Sequence, residues 1–213
     1  MDDDLRTRRT TYDRASLDVD DAAADPFTQF GAWFDEVRGD ASVLEPNGMT
    51  VATADAQGRP SARIVLLRQW DARGFVFYTN YESRKGGELA AQPFAALLFW
   101  WAALQRQVRI EGAIERVDAA ESDAYFASRP RGHRLSAWAS PQSAQVTDRE
   151  FLARAMAEAD VRFPSDVPRP PFWGGYRVVP ARLEFWQGRP NRVHDRIVYE
   201  RTADSWSLAR IAP

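Results

Sequence analysis

Cysteine is absent from the sequence, and this absence excludes a disulfide framework, a thiolate metal site and a cysteine nucleophile. Histidine occurs only twice, at His133 and His194, which is too sparse a pattern for a zinc site, so we expect no bound metal. The Gly-x-Ser-x-Gly, Walker and dinucleotide-binding glycine motifs are also missing. If the protein is an enzyme, its chemistry therefore comes from a cofactor.

Lysine is almost as scarce, because Lys85 is the only lysine among the 28 lysine and arginine residues. Arginine is used wherever else the sequence places a cation of this kind. The two residues are not interchangeable, because the ammonium group is compact whereas the guanidinium group is planar and wide. The sequence therefore indicates that a compact ammonium group is required at position 85.

The sequence also lacks an excess of basic residues and any long apolar run. Its formal net charge of −2 argues against a general nucleic-acid-binding protein, which would normally be clearly basic. No run approaches the roughly 20 apolar residues that span a bilayer, and residues 1–10 have no signal-peptide apolar core. We therefore expect a cytoplasmic protein that binds neither nucleic acid nor membrane.

The composition is that of a folded chain with a sizeable core. The 213 residues are 45% hydrophobic and include 8 tryptophans and 12 phenylalanines, which is well above the content of a disordered chain. Residues 1–25 are polar and rich in aspartate and alanine, so we expect a flexible N-terminal segment that could act as a lid. We expect residues 26–213 to form a single domain.

The most informative stretch is a predicted β-hairpin followed by a helix. The β-branched and apolar residues 63–70 and the alternating residues 74–80 predict two strands, and residues 71–74 supply a tight turn between them. Ser83 can then cap a helix that runs to about Gln92, before a proline.

Arg84 and Lys85 fall in the first turn of that helix, where the backbone N–H groups already favour negative charge, so two exposed cations there are unfavourable. A bound anion would reverse this effect. Together with Arg63 on the incoming strand, the backbone donors and the two cations form a candidate phosphate site. The alternative is that both are solvated charges on a surface turn.

The rest of the chain is predicted to be mainly β with a few helices. We expect residues 94–101 to form a strand buried on both faces and residues 129–143 to form a functional loop. Six to eight mainly antiparallel strands with peripheral helices imply a mainly β fold, a small closed or split β-barrel. Periodicity and capping signals at Asp118 and Thr147 predict helices over residues 26–37, 118–128 and 147–163, and alternation predicts further strands over residues 49–54, 105–117, 173–186, 192–201 and 206–211.

Four motifs, together with the hairpin that begins at Arg63, resemble those of one family. The motifs are RQVRIEG at 106–112, WGGYR at 173–177, EFWQG at 184–188 and NRVHDR at 191–196. With these motifs in order, the sequence from about Arg9 to Pro213 is similar to the pyridoxine/pyridoxamine 5′-phosphate oxidase family. The resemblance implies a dimeric, Greek-key-like split β-barrel, a homodimer that binds FMN at the subunit interface.

The activity implied by the resemblance is the oxidation of pyridoxamine 5′-phosphate and pyridoxine 5′-phosphate to pyridoxal 5′-phosphate, in vitamin B6 biosynthesis and salvage. O₂ is the acceptor and H₂O₂ a product. Two alternatives stay open. One is a related FMN-dependent oxidase that acts on another ring substrate, as phenazine-pathway members of the superfamily do. The other is a protein that binds FMN or pyridoxal phosphate without turnover.

Residue by residue, the resemblance implies a cofactor site, a substrate site and two catalytic residues, Arg192 and His194, with no metal ligand. The implied FMN contacts are Arg63, Ile64, Val65, Leu66, Leu67, Arg68, Tyr78, Thr79, Arg84, Lys85, Gln107, Gln142, Ser143, Trp186 and Arg196. The implied substrate contacts form an N-terminal lid, a phosphate clamp and a group over the pyridine ring: Arg9, Tyr12, Arg68, Tyr125, Arg129, His133, Arg192, Val193 and His194.

The sequence departs from the family pattern at three positions. The family usually has lysine where Arg68 stands, serine where His133 stands and glycine where Ser136 stands. Arg68 can still bind a phosphate bidentately. His133 is larger than serine, so it could donate to the same phosphate, or it could narrow the pocket and change the substrate.

Overall fold

The structure, a computed structural model, describes residues 6, 7 and 9–213. These residues form five α-helices: α1 (Pro26–Gly39), α2 (Arg84–Ala91), α3 (Ala119–Ser128), α4 (Arg131–Ala139) and α5 (Glu150–Arg162). They also form nine strands: β1 (Gly48–Ala54), β2 (Pro60–Leu66), β3 (Gln69–Asp71), β4 (Gly74–Asn80), β5 (Phe94–Trp101), β6 (Arg106–Arg116), β7 (Trp173–Gln187), β8 (Asp195–Arg201) and β9 (Trp206–Arg210).

The strands are hydrogen-bonded in the order β2-β1-β5-β6-β7-β4-β3, and β8 pairs with β7 and with β9. The pairs β3–β4, β4–β7, β7–β8 and β8–β9 are antiparallel. The predicted mainly β class is confirmed, although the nine strands exceed the six to eight expected. Among the described residues no helix has the length and apolar character needed to cross a membrane.

The chain divides into two compact units. The first comprises the described part of residues 1–50 together with residues 97–111 and 180–213, and the second comprises residues 51–96 and 112–179. Strands β1, β5, β6 and β7 each contribute residues to both units. Each unit has buried apolar residues of its own.

The core of the first unit is built on the apolar stripe of α1. Phe30, Trp33, Phe34 and Val37 are buried at helical spacing, as the periodicity predicts. The ring centroids of Phe30 and of Phe99 on β5 are 5.3 Å apart. This contact fastens α1 to the strand.

The core of the second unit includes β4, on which Phe75, Val76 and Phe77 are fully buried. A further apolar cluster brings together residues of α3, α4, α5 and β7. This cluster fixes α3 and α4, which carry several of the predicted site residues. Its buried members are Phe126, Leu135, Ala139, Ala159, Val167 and Trp173.

The predicted strand over residues 63–70 is instead two strands, because the chain changes its pairing partner near Leu67. β2 pairs with β1, whereas β3 forms the predicted hairpin with β4, in which Asp71 lies opposite Gly74. Gly74 has φ +141°, and a Cβ there would lie 2.1 Å from the Val178 carbonyl oxygen. Glycine is therefore required at this turn.

Two of the three predicted helix caps are confirmed. Ser83 caps α2 and Asp118 caps α3, each through a side-chain oxygen that accepts a backbone hydrogen bond. The predicted cap of α5 at Thr147 is wrong. The N–H group of Phe151 donates to the carboxylate of Asp148 at 2.7 Å, so the neighbouring residue serves this helix start.

Two expectations about burial and local structure are also wrong. β5 alternates between buried and more exposed residues because only one of its faces packs on the core, and Phe94 and Trp100 are 54% and 48% exposed.

The predicted loop over residues 129–143 contains α4. The sequence forms a helix here because Leu135 and Ala139, four residues apart, are buried in the apolar cluster.

Candidate functional site

A pocket of about 600 Å³ lies in the second unit. None of the described residues that line it is an aspartate or a glutamate, whereas three arginines and the only lysine are present. The pocket therefore suits an anion. Its lining residues are Arg63, Ile64, Val65, Leu66, Arg68, Tyr78, Thr79, Lys85, Tyr125, Ser128, Arg129, Pro130, His133, Gln142 and Trp173.

Lys85 enters the protein interior at the first turn of α2. A Cβ on the next residue, Gly86, would lie 2.0 Å from the Tyr81 carbonyl oxygen, so only glycine allows the turn to pack this closely against the preceding segment. The helix is short, and its N-terminal backbone donors add positive character to the same region. Two components of the predicted phosphate site, the helix start and the ammonium group, therefore lie in the same region.

The ammonium group of Lys85 is buried and hydrogen-bonded to neutral groups. Its Nζ donates to Gln142 Oε1 at 2.7 Å, to Thr79 Oγ1 at 3.0 Å and to Ser83 Oγ at 3.4 Å. Burial, with a smaller contribution from the charge of Arg63, lowers the pKa of Lys85 to about 8. A charged amine here is therefore poorly compensated by the protein itself.

The two arginines predicted to accompany Lys85 are occupied elsewhere. Arg63 donates from Nη2 to Glu88 Oε2 at 3.0 Å and from Nη1 to Thr53 Oγ1 at 2.5 Å, and it also bonds Ser61. Arg84 is 64% exposed and donates from Nε to Glu88 Oε1 at 2.8 Å. Both arginines therefore have a carboxylate partner, whereas Lys85 has none in the described part of the chain.

Glu88 is the centre of this buried group. Burial alone would raise the pKa of its carboxyl group, but the hydrogen bonds from Ser61, Thr53, Arg84 and Arg63 outweigh burial and lower the pKa to about 2. Glu88 is therefore a carboxylate at neutral pH, with both oxygens used. The sequence analysis missed this residue.

Aromatic rings hold the other two cations of the pocket. Tyr78 stacks on Tyr125 at 4.0 Å between ring centroids and on Trp173 at 5.4 Å. The guanidinium carbon of Arg129 lies 4.7 Å from the centroid of Trp173, and that of Arg68 lies 5.9 Å from the centroid of Tyr125. The rings thus position both arginines, and no carboxylate of residues 6, 7 and 9–213 pairs with either of them.

Arg129 has a donor with no partner. Its Nη1 is buried and makes no hydrogen bond to the described protein atoms. Burial lowers the pKa of Arg129, and the nearby charge of Arg68 acts in the same direction, although Tyr125 opposes it. A bound anion would satisfy the free donor and relieve the repulsion between the two guanidinium groups.

The structure brings the whole predicted phosphate clamp together in this pocket. Arg68, Tyr125, Arg129 and His133 all line it, and His133 is exposed in the first turn of α4. Of the predicted FMN contacts, Arg63, Ile64, Val65, Leu66, Arg68, Tyr78, Thr79, Lys85 and Gln142 line the pocket as well.

Three predicted cofactor residues of the second unit do not line the pocket. Leu67 is buried in the core. Arg84 faces outward at the start of α2, and Ser143 is exposed with φ +74° in the segment after α4.

The remaining predicted residues belong to the first unit, where Tyr12, Trp186 and His194 form a ring cluster. The centroid of Trp186 lies 4.5 Å from that of His194, and Tyr12 lies 5.8 Å from each. The backbone N–H of Arg189 donates to His194 Nδ1 at 3.1 Å. Burial and the charge of Arg192 lower the pKa of His194, which favours the neutral ring with Nε2 as its free nitrogen.

The segment that carries Tyr12 is fastened within the first unit. Gln105 Oε1 accepts hydrogen bonds from the backbone N–H groups of Asp13 and Arg14, at 3.0 and 3.1 Å. A Cβ at Gly188 would lie 2.8 Å from the Tyr12 side chain. The chain therefore needs a glycine at the end of β7 for Tyr12 to lie against it.

Arg196 is held by a buried carboxylate. Its Nε and Nη2 donate to the two oxygens of Glu184 at 3.0 Å each, and its Nη1 donates to the Ala212 carbonyl at 2.8 Å. Glu184 is only 2% exposed and also accepts from Arg109 Nη2 at 2.6 Å. Arg196 is thus positioned as a rigid group.

The other predicted residues of this unit are on β6, in the 3-10 turn and near the N-terminus. Gln107 is half-buried on β6. Arg192 and Val193 are exposed, and Arg192 has φ +63° in the turn Pro190–Arg192 that precedes β8. Arg9 is exposed.

Sequence reasoning missed Ser128, Pro130 and Trp173 in the pocket wall. Trp173 had a usable signal, because it opens the WGGYR motif that is noted above for its resemblance alone. Glu184 also lies in such a motif, EFWQG. For Glu88 the one local signal was Arg84, four residues earlier on α2, whereas its other partners come from β1 and β2.

Comparison with known families gives two matches along the chain. The family described as pyridoxamine 5′-phosphate oxidase matches residues 35–163. The region described as the pyridoxine 5′-phosphate oxidase C-terminal dimerisation region matches residues 173–213.

Curated proteins with high similarity carry the same name. Proteins named pyridoxine/pyridoxamine 5′-phosphate oxidase from Burkholderia pseudomallei (strain K96243) and Burkholderia multivorans (strain ATCC 17616 / 249) are each 59% identical to the chain over 212 residues. Each alignment covers 98% of this chain and 99% of the relative.

Solved structures agree with the fold. PhzG from Burkholderia lata 383, in complex with tetrahydrophenazine-1-carboxylic acid, superposes with a TM-score of 0.88 at 32% identity, over 96% of this chain and all of that one. A pyridoxamine 5′-phosphate oxidase-related, FMN binding protein from Nostoc punctiforme PCC 73102 has a TM-score of 0.70 at 20% identity, over 86% and 96% of the two chains. The family matches and the 59% identical relatives together show that this chain, with its split β-barrel fold, belongs to the pyridoxamine 5′-phosphate oxidase family of oxidoreductases.

Proposed function

We propose that the protein is an FMN-dependent oxidase that converts pyridoxamine 5′-phosphate and pyridoxine 5′-phosphate to pyridoxal 5′-phosphate. The observation that carries the proposal is a pocket with two places for an anion, one at Lys85 and one at Arg68 and Arg129. None of these three cations has a carboxylate partner in the described residues. Two phosphate groups, one from the cofactor and one from the substrate, match this arrangement.

The donor set of the pocket fits FMN. Lys85 and the N-terminal turn of α2 would hold its phosphate, and Gln142 would offer donor and acceptor atoms to polar groups of the ligand. We propose that Gln107, Trp186 and Arg196 also contact FMN, in part from the other subunit of the homodimer. When bound, FMN would supply a two-electron acceptor for oxidation of the substrate carbon, with O₂ as the final acceptor and H₂O₂ as the product.

The residues of the chain would bind and orient the substrate. Arg68, Tyr125, Arg129 and His133 would hold the substrate phosphate, with the free Nη1 of Arg129 as one donor. Most of the protein's contribution to the rate would then be the positioning of the substrate.

The proposed catalytic residues would act on the substrate ring. Arg192 would cover one face of the ring, and His194 would donate from Nε2, because its Nδ1 already accepts the Arg189 N–H. Tyr12 and Arg9 would close over the site. Neither catalytic residue need act as a general base in this scheme.

The overall reactions balance without a further reactant. Pyridoxine phosphate and O₂ give pyridoxal phosphate and H₂O₂. Pyridoxamine phosphate, O₂ and water give pyridoxal phosphate, ammonia and H₂O₂, because the amine is oxidised to an imine that water hydrolyses.

The proposal includes a cytoplasmic homodimer with FMN at the subunit interface, in which residues 26–213 form one domain and residues 1–25 a possible lid. The support for the dimer is the match of residues 173–213 to the family's dimerisation region. The fold of the PhzG structure, with its bound tetrahydrophenazine acid, supports a second candidate, an oxidase for another ring substrate. The paired phosphate sites favour the phosphorylated substrates.

The test is anaerobic mixing of the FMN-loaded protein with pyridoxamine 5′-phosphate while the absorbance of oxidised flavin is followed. We expect rapid bleaching, formation of pyridoxal phosphate and return of the yellow colour when air is admitted. Flavin that binds but stays oxidised with both the amine and the alcohol phosphates would refute the assignment. Bleaching by tetrahydrophenazine-1-carboxylic acid alone would favour the second candidate.

A further inference from the structure

We propose that binding of a phosphate group at the start of α2 is coupled to uptake of a proton by Lys85. In this scheme Lys85 is a neutral amine for part of the time in the ligand-free pocket and an ammonium whenever a phosphate dianion is bound. The inference rests on the proposed function and adds to it a dependence of cofactor affinity on pH.

The first argument is the set of hydrogen-bond partners of Lys85. Thr79 and Ser83 present hydroxyl groups, and Gln142 presents an amide oxygen. Both hydroxyl groups already donate elsewhere, Thr79 Oγ1 to Gln142 Oε1 at 3.1 Å and Ser83 Oγ to the Asn80 carbonyl at 2.7 Å, so all three groups accept from Lys85. All three are neutral, however, and none of them stabilises the ammonium over the neutral amine as strongly as a carboxylate partner would.

The second argument is the charges around Lys85. Arg63 on β2 repels the ammonium, and the helix start does so as well. Glu88 on α2 attracts it, but the Glu88 oxygens already accept from Arg63, Arg84, Thr53 and Ser61. The other charged or titratable residues that line the pocket are Arg68, Tyr78, Tyr125, Arg129 and His133, and they include no carboxylate.

The third argument is the direction of the coupling. Burial and Arg63 lower the pKa of Lys85 to about 8 in the ligand-free pocket. A phosphate dianion within hydrogen-bond distance favours the ammonium and raises this pKa again. Below about pH 8 the amine is already charged and little proton is taken up. Above it, uptake approaches one proton for each phosphate bound, and the affinity falls by about tenfold for each pH unit.

The coupling accounts for the single lysine of the sequence. Arginine stays protonated at every pH at which the protein is folded, so it cannot release a proton from an empty pocket. Arg68 and Arg129 line the same pocket, and they carry a fixed charge. Only position 85, the buried site between neutral partners, needs a side chain that can become neutral.

The first experiment measures the Kd of FMN and of riboflavin from pH 6.5 to 9.5 by quenching of flavin fluorescence. Calorimetry in two buffers of different ionisation enthalpy gives the number of protons taken up. We expect the FMN Kd to rise by about tenfold per pH unit above pH 8, with uptake approaching one proton. Riboflavin has the same ring and no phosphate, so its Kd should show no such rise.

The matched variant is Lys85→Arg, which keeps the charge and removes the titration. Its FMN Kd should be independent of pH between 7 and 9.5, with no proton uptake. Tight FMN binding to the natural protein at pH 9 without proton uptake would overturn the inference and leave the proposed function standing.

A second experiment needs no flavin and no variant at position 85. Because the chain has one lysine, protein labelled at lysine side chains gives one side-chain signal to titrate by NMR. The exposed Arg38→Lys variant adds a second signal as an ordinary reference, near pKa 10.4. We expect Lys85 to titrate well below this reference and inorganic phosphate to move it upward. If Lys85 and the reference lysine titrated at the same pH, the inference would be overturned, whether or not FMN binds.

Discussion

Two groups of cations in this protein are held in opposite ways. In the first unit, Arg196 and Arg109 donate to Glu184, a carboxylate that is buried among them. In the second unit, Lys85 and Arg129 are half-buried or buried with neutral or aromatic neighbours and no carboxylate in the described chain.

The difference separates two uses of a cation. A buried ion pair satisfies most of its own charge, so it fixes structure and offers a ligand a positioned group with little net charge. A cation held by hydroxyl groups, amides or rings keeps its charge available at some cost to stability. We infer that uncompensated cations identify the binding pocket of this protein better than the number of cations does. Arg63, which lines the pocket but pairs with Glu88, shows why the number misleads.

The largest effect should follow from removal of the carboxylate in the first unit. Glu184→Gln removes a buried carboxylate that pairs with Arg196 and Arg109, although Arg109 keeps its second partner, Glu111. We expect a loss of about 3 kcal/mol of unfolding free energy, the lower end for breaking a buried pair, measured by urea denaturation. The control is Glu200→Gln, because Glu200 is 65% exposed and pairs only at the surface with Arg182, so we expect a loss below about 1 kcal/mol. Equal losses in the two variants would remove the basis of the comparison.

The next largest effect is the loss of stability at acid pH. It tests the carboxylate of Glu88, which pairs with Arg63 and Arg84 beside the pocket. The pKa of Glu88 is about 2 in the folded protein and near 4.5 otherwise, so the unfolded state binds the proton more readily. The ionised Glu88 carboxylate therefore makes its full contribution to the unfolding free energy above about pH 4.5. This contribution, up to about 3 kcal/mol, is lost as the pH falls towards 2. Urea midpoints between pH 6 and 3 should fall more steeply for the natural protein than for Glu88→Gln. Parallel curves would show that Glu88 is not the group that is titrating.

Removal of a cation that has no carboxylate partner should affect ligand binding more than stability. Arg129→Gln removes a charge that has no carboxylate partner, so we expect the unfolding free energy to change by less than about 1 kcal/mol, the scale of one cation–aromatic contact. The KM for pyridoxamine 5′-phosphate should rise about 10-fold to 100-fold through loss of a charged hydrogen bond. The matched control on α4 is Arg134→Gln, because Arg134 pairs with Asp166 and does not line the pocket. A similar KM in both variants would contradict the assignment.

The smallest change in unfolding free energy is expected for an ion pair that is exposed at the surface. Arg131 and Asp160 lie 2.5 Å apart with side chains 36% and 59% exposed. We expect Asp160→Asn to change the unfolding free energy by less than about 1 kcal/mol, and by less still in 1 M salt. A larger loss would mean that pairing itself, independent of burial, stabilises the fold.

The parts of this site that are local in sequence could be predicted. Ser83 and Asp118 cap their helices through groups three residues away, and position 85 was conspicuous from composition alone. The hairpin turn at Gly74 is equally local. Such features depend on backbone geometry over a few residues, which the sequence specifies directly.

The parts that depend on distant segments could not be predicted from pattern. Arg63 was expected to face the phosphate, but it turns to Glu88, because the fold brings β1, β2 and α2 together around one carboxylate. The helix α4 was missed because its arginines suggested a loop, whereas Arg131 and Arg134 pair with carboxylates outside the helix. In each case the decisive partner lies more than 20 residues away.

The stacked rings of the pocket have a consequence for how quickly it can be filled. Arg68 and Arg129 rest on Tyr125 and Trp173, and these rings stack with Tyr78. An incoming anion therefore has no counter-charge from the described residues to displace before it reaches the guanidinium groups. The ring contacts also limit the conformations of the two arginines, so less side-chain entropy is lost when an anion binds. In the proposed function, the stack would in this way speed the capture of the substrate phosphate.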